Sequence, residues 1–168
     1  ELQYRLAAMK LPVKLVQARP KGVKYIEITD NDLDTSIPVE EGYGISITGN
    51  KALLRAGTSH GIYNAIQTFL QLVDNDKVRS CSILDWPAFS WRGFMVDVGR
   101  NYQSIKQLKE QIEIMGRYKL NIFHFHLTED IAWRLESKKY PQLTAEATMI
   151  RNKGKYYSLE ELKDLVAF

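Results

Sequence analysis

The sequence predicts an α+β unit over residues 1–85, followed over 86–168 by the first βα units of a parallel sheet. Three observations carry that prediction. Alternating apolar residues give way to a helical stripe after Gly57, so strands precede one packed helix. A strand–helix–strand–loop–helix rhythm then begins at Phe94, which calls for parallel strands with helical crossovers. Between the two lies "SILDWPAFSWRG" (82–93), where Pro87 interrupts the pattern and Trp86, Phe89 and Trp91 are suited to packing between modules.

In the first part, "VKYIEITD" (23–30) places Val23, Tyr25 and Glu27 on one side and Ile26 and Ile28 on the other. In "EEGYGISITGN" (40–50), Tyr43, Ile45 and Ile47 share a face, and Gly49-Asn50 marks the turn after them. "KALLRAG" (51–57) is a further short strand. The stretch 58–76 aligns Ile62, Ile66, Phe69, Leu70 and Val73 on one helical stripe, with Thr58 or Ser59 as its cap. His60 reads as a surface or capping residue, and nothing before residue 80 gathers polar groups into a site.

In the second part, "FMVDV" (94–98) is a short strand. The helix of 104–120 puts Ile105, Leu108, Ile112 and Met115 on one face and opens with the capping pattern Ser104-x-x-Gln107. "NIFHFHL" (121–127) is the next strand. A second capping box, Ser158-x-x-Glu161, starts the helix of 158–168. Two βα units cannot close a barrel, which takes eight, so the chain reads as the front part of a longer protein.

Composition narrows the function. The chain has 168 residues, 45% hydrophobic and 26% charged, with 23 basic and 20 acidic side chains and a net charge of +3. No basic block or aromatic-studded basic stripe points to nucleic acid. No apolar run approaches the ~20 residues needed to span a bilayer, and "ELQYRLAAMK" lacks the apolar core of a signal peptide. The single cysteine, Cys81, excludes an internal disulfide and a multi-cysteine zinc site, and reads as a packed residue.

Chemistry in βα architectures collects at the carboxyl ends of strands. The first such end offers Asp97, Arg100 and Asn101; the second offers His124, His126, Thr128, Glu129 and Asp130. An arginine fork suits hydroxyls or carboxylates, and a salt bridge from Arg100 to Glu129 or Asp130 is the structural alternative. His124 and His126 lie two apart, on the same face as Ile122. A His-x-His pair is a zinc pattern, but His60 is the only other histidine, so buried, hydrogen-bonded histidines beneath a pocket are the stronger expectation. Glu129 and Asp130, as neighbours, are poorly placed to act as the two carboxylates of a retaining glycosidase, which sit ~5–5.5 Å apart across the bond.

"DWPAFSWRGFMVDVGRNY", "KLNIFHFHLTEDIAWRLESKKYPQLT" and "GKYYSLEELKDLV", in that order, resemble the β-N-acetylhexosaminidases of glycoside hydrolase family 20. "EGYGISITGNKALLRAGTSHGIYNAIQTFLQLV" resembles the small α+β domain that precedes the barrel in that family. The resemblance covers about residues 20–168. It implies a (β/α)₈ TIM barrel that removes terminal N-acetylhexosamine from glycans by substrate-assisted retention. The sugar's acetamido oxygen attacks its own anomeric carbon, an Asp orients that group, and the adjacent Glu is the general acid/base. Proximity of a tethered nucleophile and a raised acid pKa are the physical requirements.

That Asp-Glu pair follows a later strand in the family, and no Asp-Glu dipeptide occurs in these 168 residues. The resemblance therefore implies no catalytic residue in this chain and an inactive chain by itself. It implies that Arg100 binds sugar hydroxyls, that Glu129 stands where Asp is usual, and that Asp97, His124, His126 and Asp130 support the pocket from behind. It implies N-acetylhexosamine-containing glycans as partners, no cofactor and no metal, and action in the periplasm, outside the cell or in lysosomes. Two departures stand out: "GRN" (99–101) replaces "SRH", and "DIAWR" (130–134) replaces "DQGWR". The alternatives are a carbohydrate-binding protein that has lost catalysis and a metal-dependent hydrolase using His124 and His126.

Overall fold

Strand alternation in the first half fixes which residues the sheet buries. The computed structural model describes residues 2–11, 13–30, 40–75 and 77–168. Asp76, at the end of the stretch expected to be helical, lies outside them. The chain divides into two compact units, 1–90 and 91–168.

In the first unit a helix, α1 (Leu2–Ala8), precedes strands β1 (Tyr25–Thr29), β2 (Tyr43–Thr48) and β3 (Lys51–Ala56), helix α2 (Ser59–Leu72) and strand β4 (Cys81–Asp85). The sheet order is β1-β3-β2-β4, with β1 parallel to β3 and the other pairings antiparallel. Gly49, at φ +56°, makes the tight β2–β3 turn. Tyr43, Ile45 and Ile47 are buried, as their shared face predicts, and they pack with Ala52, Leu54, Ile66, Phe69 and Leu70. Thr58 caps α2 by accepting a hydrogen bond from the Gly61 amide. His60 is exposed, and Cys81 is partly buried against the core.

Two elements correct the sequence reading. Residues 82–85, expected in the joint, belong to β4, an edge strand whose Ile83 pairs with Ile45. The amino-terminal residues, read without structure, form α1, which lays Leu6 into the core. Ile28 shares a face with Ile26 but is exposed: β1 is the other edge of the sheet, and of the two only Ile26 packs against the core.

The second unit holds β5 (Gly93–Asp97), α3 (Ile105–Arg117), β6 (Ile122–His126) and α4 (Leu159–Ala167). Strands β5 and β6 are parallel, with Met95 opposite His124 and Asp97 opposite His126. Both predicted capping boxes form, at Ser104/Gln107 and Ser158/Glu161. The two faces of this small sheet differ. Phe123, Phe125 and Leu127 meet Val96, Val98, Leu108, Tyr157 and Leu165 in a core. By strand alternation Met95, Asp97, His124 and His126 share the opposite face.

Candidate functional site

The alternation of β5 and β6 brings Asp97 and His126 side by side at the carboxyl ends of two parallel strands. The chain turns immediately after Asp97. The Asp97 carboxylate accepts a hydrogen bond from the Arg100 amide at 3.0 Å, which closes the turn and aims Arg100 back at the strand ends. The Arg100 guanidinium then forms an ion pair with Asp97 through one terminal nitrogen and with Glu129 through the other, the latter at 2.8 Å. Glu129 Oε1 also contacts His126 Nε2 at 3.0 Å. The result is a linked row, Asp97–Arg100–Glu129–His126, drawn from two strand ends.

Burial is graded along that row. The side chains of Asp97 and Glu129 are 19% and 21% exposed, whereas Arg100 is 50% exposed. The carboxylates are fixed in place while the cation keeps a face to solvent. Partial burial pushes the Asp97 carboxyl up, but the Arg100 amide, its guanidinium bond and its charge together outweigh that and hold it below its ordinary value. The Asp97 bond raises the Arg100 pKa in turn.

Gly99 makes this geometry possible. A Cβ there would lie 2.9 Å from Glu129 Cβ and 3.0 Å from its Cγ. The missing side chain lets the β5 loop close against the stem of Glu129. Ala132, where the resemblance has glycine, is buried and is not at positive φ. The 128–133 turn therefore needs no glycine angle at that position; it closes through Glu129 N–H donating to Ala132 O at 3.1 Å.

Beside the row lies an open cavity of about 410 Å³ lined by His124, Phe125, His126, Leu127, Thr128, Trp133 and Leu135. That volume falls in the range of small-molecule sites. His126 belongs both to the cavity wall and to the charged row. The two predicted histidines thus separate: His126 is partly buried and bonded to Glu129, but His124 is exposed. The expectation of two buried, hydrogen-bonded histidines fails for His124: Leu108 of α3 and Leu165 of α4 pack on the opposite, Val96–Phe125 face of the sheet. Asp130 is exposed and stands outside the row, as neighbouring carboxylates on an extended chain point apart. The salt-bridge alternative for Arg100 is realised with Glu129, and with Asp97, which the sequence reading did not pair with it.

Among the described residues, the ligating atoms of Asp97, His126 and Glu129 lie within 4.8 Å of one another, a spacing that could hold a cation. The Arg100 guanidinium is already paired with both of those carboxylates. His124 is not in that group, so the His124–His126 zinc pair is not assembled by this fold.

One residue that sequence reasoning passed over is Arg134. It is fully buried. Its acceptors are main-chain carbonyls, which leave no residue signature in a sequence. Its outward signs are a charge in the apolar pattern "AWRL" and its match to the last residue of "DQGWR".

Comparison with known proteins agrees across both units. Residues 2–86 match the family described as glycosyl hydrolase family 20, domain 2, and residues 89–168 match glycosyl hydrolase family 20, catalytic domain. A beta-hexosaminidase of Porphyromonas gingivalis is 39% identical over 161 residues, covering 81% of this chain and 20% of that protein. N,N'-diacetylchitobiase of Vibrio harveyi is 36% identical over 122 residues, covering 71% of this chain and 14% of that protein. The crystal structure of an exo β-N-acetylglucosaminidase from Vibrio harveyi, in complex with N-acetylglucosamine, superposes with a TM-score of 0.81 at 29% identity, over 99% of this chain and 28% of that one. The chain thus spans roughly a third or less of the length of these relatives.

Proposed function

Because the chain belongs to glycosyl hydrolase family 20, we propose that the complete protein removes terminal β-linked N-acetylhexosamine from glycans. In this reading residues 1–85 are the domain preceding the barrel, and 86–168 begin a (β/α)₈ catalytic barrel. The observation that carries it is Arg100, gripped by Asp97 and Glu129 yet half-exposed at the strand ends. A guanidinium has five N–H donors in a rigid fork. The two carboxylates fix its plane, and the donors left over bind the sugar hydroxyls.

Each neighbour then has a task. Asp97 sets the turn that presents Arg100. Glu129 couples Arg100 to His126, so the cavity wall and the arginine keep one geometry. His124 forms part of the cavity wall. Fixed donors and acceptors of this kind lower the reorganisation needed when charge develops at the sugar. The acetamido oxygen of the substrate acts as the nucleophile, assisted by an Asp-Glu pair that these 168 residues do not contain. The chain by itself is therefore inactive, needs no cofactor, and contributes binding rather than proton transfer.

The test is hydrolysis of a chromogenic N-acetyl-β-glucosaminide by the 168-residue chain and by the complete coding product. Turnover by the complete product alone is the expected result. Turnover by the 168-residue chain would overturn the division of labour. A folded complete product that binds N-acetylglucosamine without hydrolysing it would replace the hydrolase with a sugar-binding protein.

A further inference from the structure

Arg134 is 0% exposed. Its Nε donates to Val98 O at 3.0 Å, Nη1 to Asn152 O at 3.0 Å and Lys155 O at 2.8 Å, and Nη2 to Gly99 O at 3.2 Å and Arg151 O at 2.8 Å. Nη1 also reaches Met149 Sδ at 3.4 Å. All five oxygens are carbonyls, and none is a carboxylate. A buried cation without a counter-ion is costly. It is tolerated where a full set of dipoles replaces water, and five carbonyls match the five donors of a guanidinium. A lysine has three donors on one point charge and cannot reproduce that fan.

The acceptors fall on two segments, 98–99 and 151–155. The first is the backbone immediately before Arg100. The second is tied back to the same loop: Arg151 Nη1 donates to Asn101 Oδ1 at 3.1 Å, and the Tyr102 amide donates to Asn152 Oδ1 at 3.2 Å. Arg134 itself is anchored in the turn that follows Glu129, since its amide donates to Leu127 O at 3.0 Å. One side chain therefore bridges from the Glu129 turn to the backbone that carries Arg100, and pins both ends of the Arg100–Glu129 ion pair from behind.

We infer that Arg134 is a positioning residue for Arg100: its carbonyl clamp sets where the Arg100 fork stands against Glu129, and so sets sugar binding. The consequence for binding rests on the reading of Arg100 given above; the clamp itself does not. The experiment has two arms, each with R134M and R134K. In the 168-residue chain, NMR reads the guanidinium N–H signals of Arg100, which resolve from free-arginine values while carboxylates hold the group. R134M and R134K are expected to collapse them toward free-arginine values while the core amide signals of Val96 and Leu108 persist. Unchanged Arg100 signals in either folded variant would overturn the clamp.

In the complete coding product, the same variants enter a double-mutant cycle with R100M. R134M alone is expected to lower kcat/KM by on the order of tenfold to a hundredfold, chiefly through KM. In the R100M background it should cost less than about threefold, because the residue it acts through is gone. A merely structural role would lower Tm and give the same loss in both backgrounds, and that additivity would overturn positioning. A wild-type complete product that fails to hydrolyse would sink the proposed function while the NMR arm still decides the clamp.

Discussion

The two units use polar side chains in opposite ways. Among the described residues, the first has a core of eleven buried apolar residues and the second a core of five. In the first unit the polar groups serve that core. Tyr43 donates its hydroxyl to Asp85 and bonds Thr68 at 2.7 Å, and Asn64 reaches the Glu41 carbonyl at 3.2 Å. In the second unit the apolar core occupies one face of β5–β6, and the other face and the strand ends carry the charged row. A sheet packed for stability uses its hydroxyls to lock the packing. The second sheet keeps a partly exposed arginine between two carboxylates at its strand ends.

The largest expected effect breaks that comparison at its apolar end. Leu54 is fully buried in the first core, so L54A is expected to cost about 2–5 kcal/mol, the range for leucine deletions that leave cavities. Calorimetric melting measures it. The Arg100 side-chain signals of the second unit should stay unchanged below the transition. Their loss in a folded L54A chain would mean that the units do not divide their labour as described.

What the sequence made legible follows the same division. Periodicity gave the buried faces of β2 and α2, and the Ser-x-x-Gln and Ser-x-x-Glu spacings gave both capping boxes, because each signal lies within a few residues. The strand ends gave Arg100, Glu129 and His126. Their pairing was only partly legible, since Asp97 reaches Arg100 through a turn that no pattern specifies. Strand β4 was hidden because its five residues run into Pro87 and the aromatic joint. Helix α1 was hidden because seven residues give too short a stripe. His124 was misjudged because its spacing gives the face but not what covers that face. The resemblance placed the site in a family and kept Arg134 within its "DIAWR" motif, but gave that arginine no task.

A smaller effect sharpens the site. G99A puts a Cβ against the stem of Glu129 rather than against a flexible tip. It is expected to cost about 1–3 kcal/mol, as overpacking does, and to weaken sugar binding by the complete protein as Glu129 shifts from Arg100. Titration calorimetry with N-acetylglucosamine checks this, and unaltered affinity would remove Gly99 from the account. In the first unit Y43F is expected to cost about 1–2 kcal/mol by leaving Asp85 and Thr68 without the hydroxyl. It should leave that affinity unchanged.

The smallest effect is a pH dependence, which has the same sign in both units but a different sensitivity to salt. Burial raises the pKa of Tyr43 in the first unit and of Tyr157 in the second. Each contributes stability that is present below the ordinary tyrosine value of about 10 and is lost as pH rises toward the folded value. The alkaline limb therefore belongs to both units. On the acid side, hydrogen bonds from Arg19 and Lys51 lower the Glu27 pKa in the first unit, and Arg100 lowers that of Asp97 against the opposing effect of burial in the second. Both contributions are present above the ordinary carboxylate values of about 4 and are lost as pH falls through the folded ones. Salt distinguishes them. The Arg19 partner of Glu27 is 72% exposed, and the Arg100 partner of Asp97 is 50% exposed and shared with Glu129. Added salt should erase the acid-limb difference between wild type and R19Q, which removes only the more exposed partner of Glu27, sooner than that between wild type and D97N, because exposed pairs are screened first. Equal salt sensitivity would mean that the charged row of the second unit is no more than surface electrostatics.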